Sequence, residues 1–295
     1  MWDNEKKYLA KLKNCNDRIL NSNARKTSPN KVNLHWWSTE NKDHVENVGD
    51  YLSVVVCNYM LEKKGLSFDT PVEKTKHLYA IGSIIQGGAQ NATIWGSGLK
   101  CGVDDIGFIF KHTRKLDVRL VRGPRTREAL IKSGFACPEK YGDPATLMPL
   151  IYQPLVKKDK EYLVILHHES KLKYDNSITP LSDNYKSFID EIVSSKFVIS
   201  SSLHGIILAE AYGVPAVLLN DDAVKNKFKY EDYYFSTGRY QLPYVNSVED
   251  ALNIKRPQLP DLTLMQKNIV STFPYDLWQM REKGEHNDKC DNANL

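Results

Sequence analysis

The hydrophobic pattern of the chain alternates short strand-like runs with longer helix-like segments. In the first half the short apolar runs, several of them closed by glycine, predict strands covered on both faces, as in parallel sheets. These strand candidates are KVNLHWW (31–37), HLYAIGS (77–83), ATIWGSG (92–98), IGFIF (106–110) and LDVRLVRG (116–123).

Helical periodicity separates these runs. Residues 3–20 show an amphipathic pattern, and the polar stretch 21–31 predicts a loop. Residues 51–65 are apolar on most faces and predict a buried helix, whereas 124–134 begin with proline and end with glycine, as helices often do. The segment 141–152 has a strand-like pattern that carries a turn at Gly-Asp-Pro.

The second half repeats this alternation and predicts a further set of strands and helices. The predicted strands are 162–168, 197–202 and 215–219, and the predicted helices are 185–195, 204–213, 247–254 and a long C-terminal helix at 262–280. The segment 225–234 mixes cations with tyrosines, which suits an RNA-like patch or a carbohydrate-facing loop, but mainly indicates a solvated connection. The last fifteen residues are polar and are expected to fray.

This alternation predicts an α/β protein with two doubly wound sheets. The halves are expected to be an N-terminal α/β lobe at 1–153 and a C-terminal α/β lobe at 154–295, because a proline and a charged run intervene there. Ligands of such sheets bind at the carboxyl ends of the strands, so we expect the chemistry in a cleft between the lobes.

Composition excludes several classes of protein. With 41% hydrophobic and 26% charged residues among 295, the chain is neither disordered nor fibrous. The net charge of +4 is too weak to indicate nucleic acid, although residues 1–150 carry 23 basic and 16 acidic side chains whereas 151–295 carry 17 and 20. This asymmetry suits an anionic ligand, and scattered surface lysines explain it equally well.

Cysteine spacing and the N-terminus indicate the compartment. Five widely spaced cysteines without a Cys-x-x-Cys pair indicate neither a zinc site nor a disulfide framework. The first twenty residues lack the apolar core of a signal peptide, and no apolar run approaches the length that a membrane span requires. We therefore expect a cytoplasmic protein.

The most informative stretch is FVISSSLHGIILAEAYGVPAVLL, in which a strand ends in serines and a helix begins at Leu-His-Gly. This order places Ser201, Ser202, Leu203 and His204 at a helix N-terminus, where free N–H groups and the dipole favour an anion. An anion bound there would leave His204 ready to donate a proton. The alternative is that His204 caps the helix together with the serines.

Polar residues follow other predicted elements. Asn47-x-Gly49-Asp50 precedes the buried helix, so Asp50 either caps it or acts as a base toward a hydroxyl. Gly82-Ser83 and Gly96-Ser97-Gly98 follow strands and would let a ligand approach the backbone, although simple turns explain them equally well. Neither matches a nucleotide fingerprint, and no P-loop is present.

Arginines and histidines complete the set of candidates. Arg122 and Arg125 follow a strand, and guanidinium groups bind carboxylate or phosphate in bidentate fashion. Asp143 in Gly-Asp-Pro is first of all a turn residue. His167 and His168 end a strand where they would meet a sugar hydroxyl, and adjacent strand residues point to opposite faces, which argues against a shared metal.

The ordered set of motifs resembles the polysaccharide pyruvyl transferase family, in its exopolysaccharide ketal-forming subgroup. The resemblance covers roughly residues 32–280 and rests on Asn47-x-Gly49-Asp50, Gly82-Ser83, Trp95-Gly96-Ser97-Gly98, Arg122-Gly123-Pro124-Arg125-Thr126, Tyr141-Gly142-Asp143-Pro144 and Ser201-Ser202-Leu203-His204-Gly205.

The resemblance implies two Rossmann-like lobes, as in GT-B glycosyltransferases, and transfer of a pyruvyl group from phosphoenolpyruvate to two hydroxyls of a sugar. It implies no cofactor and no metal, a saccharide acceptor that is lipid-linked in some cases, and peripheral association with the inner membrane face through such an acceptor. By the same analogy His204 is the acid, Arg122 clamps the donor, and Asp50 and Asp143 activate or position hydroxyls.

The chain departs from the family pattern where many members have arginine before Leu-His. Ser202 stands there, so the resemblance leaves the missing cation to be supplied by Arg125 or Lys229. Two alternatives stay open at this point. One is a GT-B glycosyltransferase that uses a nucleotide sugar, and the other is a non-catalytic carbohydrate-binding or assembly protein.

Overall fold

Two parallel β-sheets organise the computed structural model, which describes residues 27–38, 45–87, 90–102, 114–224 and 226–279. The first sheet has four parallel strands in the order β1-β3-β4-β5. These strands are β1 (Val32–His35), β3 (Lys76–Tyr79), β4 (Ala92–Trp95) and β5 (Leu116–Leu120). The α/β class expected from the sequence is thereby confirmed.

The second sheet is also parallel, with the order β11-β10-β9-β6-β7. Its strands are β6 (Leu163–Ile165), β7 (Ser177–Ile178), β9 (Val198–Ser200), β10 (Ala216–Leu219) and β11 (Tyr244–Val245). From β6 the chain first adds β7 on one side and then β9, β10 and β11 on the other. The crevice at the carboxyl ends of β6 and β9 is therefore a topological switch point, where open α/β sheets bind ligands.

Helices cover the sheets and connect their strands. They are α1 (Val48–Glu62), α2 (Pro124–Lys132), α3 (Tyr185–Val193), α4 (Leu203–Ala211), α5 (Phe228–Ser236), α6 (Val248–Asn253) and α7 (Thr263–Ser271). Helix α1 buries Leu52, Val56 and Met60 at a spacing of four residues, each worth about 1.5–3 kcal/mol relative to exposure. Helix α4 is buried from Leu203 to Glu210.

The two halves share packing. The largest cluster of buried apolar side chains contains residues of both, from Val32 to Trp278. A short antiparallel pair, β2 (Glu46–Asn47) with β8 (Leu181–Ser182), also joins them. These contacts place the start of α1 against the second half of the chain, and the site described below lies at this contact. The division into two lobes at residue 153 stays a prediction.

One expected strand is absent from the described structure. Residues Pro144–Leu150 form a 3₁₀ helix, and Tyr141 makes only an isolated bridge to Val121. The Asp143 side chain accepts a hydrogen bond from the Ala145 N–H at 3.0 Å and caps that helix. Asp143 and the proline after it therefore turn the chain out of the sheet, a local effect that outweighs the apolar pattern.

The expected long C-terminal helix is wrong in its length. Helix α7 ends at Ser271, and a separate 3₁₀ turn follows at Tyr275–Trp278. Pro274 lies between them and lacks the N–H that a continuous helix needs. The second turn buries Leu277 and Trp278, and the Tyr275 hydroxyl donates to the Met60 carbonyl at 2.7 Å.

The segment expected to be a solvated connection is helix α5. Tyr230, Tyr233 and Tyr234 recur at helical spacing and are fully buried, as is Asp232. The charged residues of this segment conceal an apolar helical face.

The predicted helix at 3–20, most of the loop at 21–31, the strand at 106–110 and the C-terminal residues from 280 lie outside the described residues. Within the described part of the chain, no helix combines the length and apolarity needed to cross a bilayer.

Candidate functional site

The site lies where loops from both sheets converge. Strands β6 and β9 of the second sheet lead to His167 and to His204, on either side of the switch point. From the first sheet, β3 leads to Gly82 and Ser83, and β5 leads to Arg122. Most of the polar residues singled out in the sequence thus follow the carboxyl ends of strands, as expected for a parallel sheet.

His204 lies in the first turn of α4 and faces Asp143. Its Nε2 atom is 3.6 Å from Oδ2 of Asp143, whose side chain is fully buried. Neither atom has a hydrogen-bond partner within the described residues, although both are buried. Because Ala145 holds the other carboxylate oxygen, Oδ2 is oriented toward the ring, and this contact can shorten once a substrate is bound.

Gly49 makes room for His204. A Cβ atom at position 49 would overlap the His204 ring, so the first turn of α1 presses directly on the imidazole. This close approach explains the glycine in the Asn47-x-Gly49-Asp50 motif. Asn47, not Asp50, is the N-cap of α1, and its side chain accepts from the Gly49 N–H at 3.1 Å. The capping role that the sequence allowed for Asp50 is therefore wrong.

Asp50 points into the same region. Gly82 has φ of 110°, and a Cβ there would overlap an Asp50 carboxylate oxygen. Burial raises the pKa of Asp50 to about 6, with Asp143 and Glu46 adding to the increase and His204 and Lys229 opposing it. A carboxyl group with this pKa changes charge close to neutrality, as general bases do.

Lys229, in the first turn of α5, provides a positive charge beside this group. Its Nζ lies 3.5 Å from Nε2 of His167. Burial and the charges of Arg122 and Lys100 lower the pKa of Lys229 to about 8, whereas Asp50 and Glu169 oppose the decrease. Cations gathered at this density are suited to an anion of two or more charges.

Helix α4 adds a further favourable field for an anion. Its N-cap, Ser202, makes no side-chain capping hydrogen bond. The Ser202 N–H donates to the Ser200 hydroxyl oxygen at 3.0 Å, and the Ser201 hydroxyl donates to the Asp221 carboxylate at 2.8 Å. The serines therefore support the loop, and the first-turn N–H groups after them point toward the region that His204 lines.

The Arg122 guanidinium makes hydrogen bonds to other groups of the protein. It donates to Asp232 at 3.1 Å, to the Ser83 hydroxyl at 2.8 Å and to the Leu99 carbonyl at 2.6 Å, and the side chain is fully buried. It thereby holds the loops after β3 and β4 together, and a direct contact with a donor stays a prediction. Arg125 forms an ion pair with Glu231 and lies over the Phe228 ring at 4.8 Å.

The remaining glycine, serine and leucine candidates build the framework around the site. Gly98 packs against the Arg122 guanidinium, and Gly96 packs against Pro144. The Ser97 hydroxyl donates to the Ala80 carbonyl at 2.9 Å. Leu203 is buried in the main core.

The expectation that His167 and His168 point to opposite faces is wrong. Their rings stack with centroids 4.3 Å apart, because β6 ends at Ile165 and the alternation of a strand no longer applies. Together with Glu169 they offer three ligand atoms within 4.8 Å of one another. Burial and the Lys229 charge lower the pKa of His167 to about 3, and the same positive charge disfavours a metal cation there.

Sequence reasoning missed Asp232 and Asp221, which hold Arg122 and Ser201 respectively. Asp221 had a signal, since it follows β10 at the carboxyl edge of the second sheet. Asp232 lies in a segment whose charged composition suggested solvent exposure, and only the three tyrosines at helical spacing could have indicated its burial.

Comparison with known proteins finds relatives of this chain in sequence and in fold. The chain is 26% identical over 207 residues to an uncharacterised protein of Acanthamoeba polyphaga mimivirus, covering 63% of this chain and 69% of the relative. A functionally uncharacterised protein from Klebsiella pneumoniae, known from its crystal structure, is similar in fold with a TM-score of 0.51 and 17% identity. That likeness covers 80% of this chain and 98% of the other, and it concerns the fold alone.

The family described as polysaccharide pyruvyl transferase matches residues 3–222, which include every motif from Asn47 to His204. Because this match extends over well more than half of the 295 residues, the chain belongs to the polysaccharide pyruvyl transferase family and is a transferase.

Proposed function

We propose that the protein transfers the pyruvyl group of phosphoenolpyruvate to two hydroxyls of a saccharide, forming a cyclic ketal and releasing phosphate. The observation that carries this proposal is the pairing of His204 with Asp143 at the start of α4, beside Asp50 and Lys229. These residues supply an acid, a base and a cation around one helix N-terminus, which are the groups that the reaction requires.

The reaction divides naturally among these groups. His204 donates a proton to the methylene carbon of phosphoenolpyruvate, which leaves an oxocarbenium-like centre at the neighbouring carbon. One sugar hydroxyl attacks that carbon and loses its proton to Asp50. Phosphate then leaves with the C–O bond electrons, and the second hydroxyl attacks the same carbon. One of the two hydroxyl protons replaces the proton that His204 gave to the new methyl group, and the other leaves on the phosphate.

Asp143 positions His204. Oδ2 of Asp143 lies 3.6 Å from Nε2 of His204 and fixes the orientation of the imidazole. This division of roles follows the triad logic in which a buried carboxylate orients a histidine for proton transfer.

Lys229, rather than Arg125, is the proposed ligand of the donor's anionic groups. Arg125 is neutralised by its ion pair with Glu231. Lys229 has no ion pair among the described residues, and its Nζ faces His167, with the charges of Arg122 and Lys100 outweighing those of Asp50 and Glu169. Lys229 thus replaces the arginine that many family members have where this chain has Ser202. The N–H groups of α4 hold the phosphate from the other side.

The overall reaction can be tested with purified protein. Incubation with phosphoenolpyruvate and a panel of glycosides is expected to release phosphate and form a ketal, which NMR detects by its methyl signal. Consumption of a nucleotide sugar without phosphoenolpyruvate turnover would instead support a glycosyltransferase of the GT-B type. Binding of saccharides without turnover of either donor would support the non-catalytic alternative.

The pH dependence of kcat/KM for phosphoenolpyruvate is expected to be bell-shaped, with limbs near pH 6 and pH 8. Below the first limb Asp50 is protonated and cannot accept a proton; above the second Lys229 is neutral and cannot hold the donor. The bound anion raises the pKa of Lys229, so the alkaline limb of kcat should lie at higher pH than that of kcat/KM.

Two conservative variants identify these limbs. Lys229→Arg keeps the positive charge and should move the alkaline limb of kcat/KM upward, whereas Asp50→Asn should remove the acid limb from the residual activity. An alkaline limb that stays in place in Lys229→Arg, together with an unchanged KM for phosphoenolpyruvate, would assign the limb to another proton-carrying group such as His204 and would contradict the role of Lys229.

The proposal extends to architecture and location. Two parallel sheets whose carboxyl edges meet around His204 and Asp50 support a GT-B-like arrangement of lobes. A cytoplasmic location with access to lipid-linked acceptors at the inner membrane face would fit the use of phosphoenolpyruvate, which is a cytoplasmic metabolite. Fractionation of cells that express the protein tests this location.

A further inference from the structure

Trp37 is an exposed aromatic side chain at the edge of the site. It follows β1 at the same carboxyl edge of the first sheet as Ser83 and Arg122, and 41% of the residue is accessible to solvent. Exposure of a tryptophan costs hydrophobic free energy, so a large indole left open beside a reaction site suggests that a ligand covers it.

The indole connects to the reacting groups through a continuous series of contacts. The Trp37 ring lies 5.2 Å from the His168 ring, and the His168 ring stacks on His167 at 4.3 Å. His167 in turn approaches Lys229 at 3.5 Å, and Lys229 is close enough to perturb Asp50. One end of this row is therefore open to solvent, and the other lies at the proposed donor site.

The chemistry of the row changes along its length. Its outer part offers the faces of the Trp37 indole and of the His168 imidazole, whose pKa is lowered mainly by burial. Its inner part offers a cation. A pyranose ring has the complementary order, because its C–H face packs on flat aromatic rings while its hydroxyls require polar partners.

We propose that Trp37 and His168 form a stacking platform for the sugar ring of the acceptor, oriented so that its hydroxyls reach inward to the donor bound at Lys229. The platform brings together residues from the first and second sheets, so acceptor binding requires both halves. The identity of the ligand as a sugar rests on the proposed function. The position of its binding site rests on the exposed indole of Trp37 and its contacts.

The experiment compares Trp37→Ala, Trp37→Phe and Tyr240→Ala. Tyr240 is 77% exposed and packs on Phe235, so it serves as a control for the loss of an exposed aromatic ring outside the site. Trp37→Ala is expected to raise the KM for a glycoside acceptor roughly tenfold, with little change in the KM for phosphoenolpyruvate. Trp37→Phe should recover much of this loss, and Tyr240→Ala should behave as the wild type.

Saturation-transfer NMR with methyl glycosides of glucose, galactose and mannose, recorded without donor, separates this inference from the proposed function. Glycoside signals that are lost in Trp37→Ala and kept in Tyr240→Ala would support the platform. They would support it even if phosphoenolpyruvate were not consumed, because that failure would contradict only the proposal that phosphoenolpyruvate is the donor. If Trp37→Ala bound glycosides as well as the wild type and had the same KM for the acceptor, the platform would be overturned. The absence of any glycoside signal from the wild-type protein would overturn it as well. Binding of uridine or guanosine diphosphate at Trp37 in place of the glycosides would overturn it too.

Discussion

Replacing His204 by glutamine is expected to lower kcat for ketal formation by about 10²–10⁴-fold, the usual contribution of a general acid. Glutamine keeps a polar side chain of similar reach but cannot donate a proton to carbon. The KM for phosphoenolpyruvate should change much less, because Lys229 and the N–H groups of α4 bind the donor. Single-turnover measurement of phosphate release would report the chemical step directly.

The control for this variant is His77→Gln. His77 is a partly buried histidine on β3 that contacts His35 at 3.0 Å and takes no part in the proposed reaction. It should leave kcat near the wild-type value. Gly49→Ala provides an independent test of position, because its methyl group would displace the His204 ring and should reduce kcat without removing the imidazole. Wild-type kcat in His204→Gln would show that another group protonates the donor.

Replacing Arg122 by methionine is expected to lower the free energy of unfolding by about 3–5 kcal/mol, as removal of one partner of a buried ion pair does. The Asp232 carboxylate is fully buried, and without Arg122 its remaining hydrogen bonds among the described residues come from Thr126, at 2.9 Å from the N–H and 2.6 Å from the hydroxyl. The Leu99 carbonyl and the Ser83 hydroxyl would also lose their donor.

Urea unfolding followed by circular dichroism measures this loss. Arg125→Met is the matched control: it removes an ion pair in which both side chains are about one-third exposed, and it should cost less than about 1 kcal/mol. The double variant Arg122→Met with Asp232→Asn should recover part of the loss, because the buried charge goes as well. Wild-type stability of Arg122→Met combined with a raised KM for phosphoenolpyruvate would instead make Arg122 a ligand of the donor.

Most of the parallel strands and several of the helices are readable from the sequence, and particular residues show why. The runs at 92–98 and 215–219 are mainly apolar, as doubly covered strands require, and each contains an observed strand, while the run at 77–83 overlaps β3. The failures occur where a single residue overrides its neighbours. Asp143 with Pro144 turns an apolar segment into a 3₁₀ helix, and Pro274 ends a helix that the periodicity would continue.

The candidate site was likewise predicted in part: its residues could be identified from the sequence, but not the contacts that each side chain makes. His204, Asp50 and Asp143 were singled out from their positions at turns and helix starts, and Lys229 as a substitute for the arginine that the resemblance led us to expect at Ser202. The fold brings these four residues together. What the motifs do not reveal is how each side chain is used. Arg122 looks like an exposed anion ligand in the sequence but is buried against Asp232, 110 residues away. Trp37 looks like the end of a strand but is open to solvent beside His168.

The sequence by itself determined the α/β class, the order of the motifs and the family, since these depend on local periodicity, turn chemistry and the succession of residues along the chain. The tertiary structure alone decided which charges are neutralised and which are free. Arg125 forms an ion pair with Glu231 and Arg122 with Asp232, whereas Lys229 has no ion pair among the described residues and its Nζ lies 3.5 Å from Nε2 of His167. Pairing of this kind depends on distances between residues that are remote in the chain, and those distances exist only once the two sheets have packed around α1 and α4.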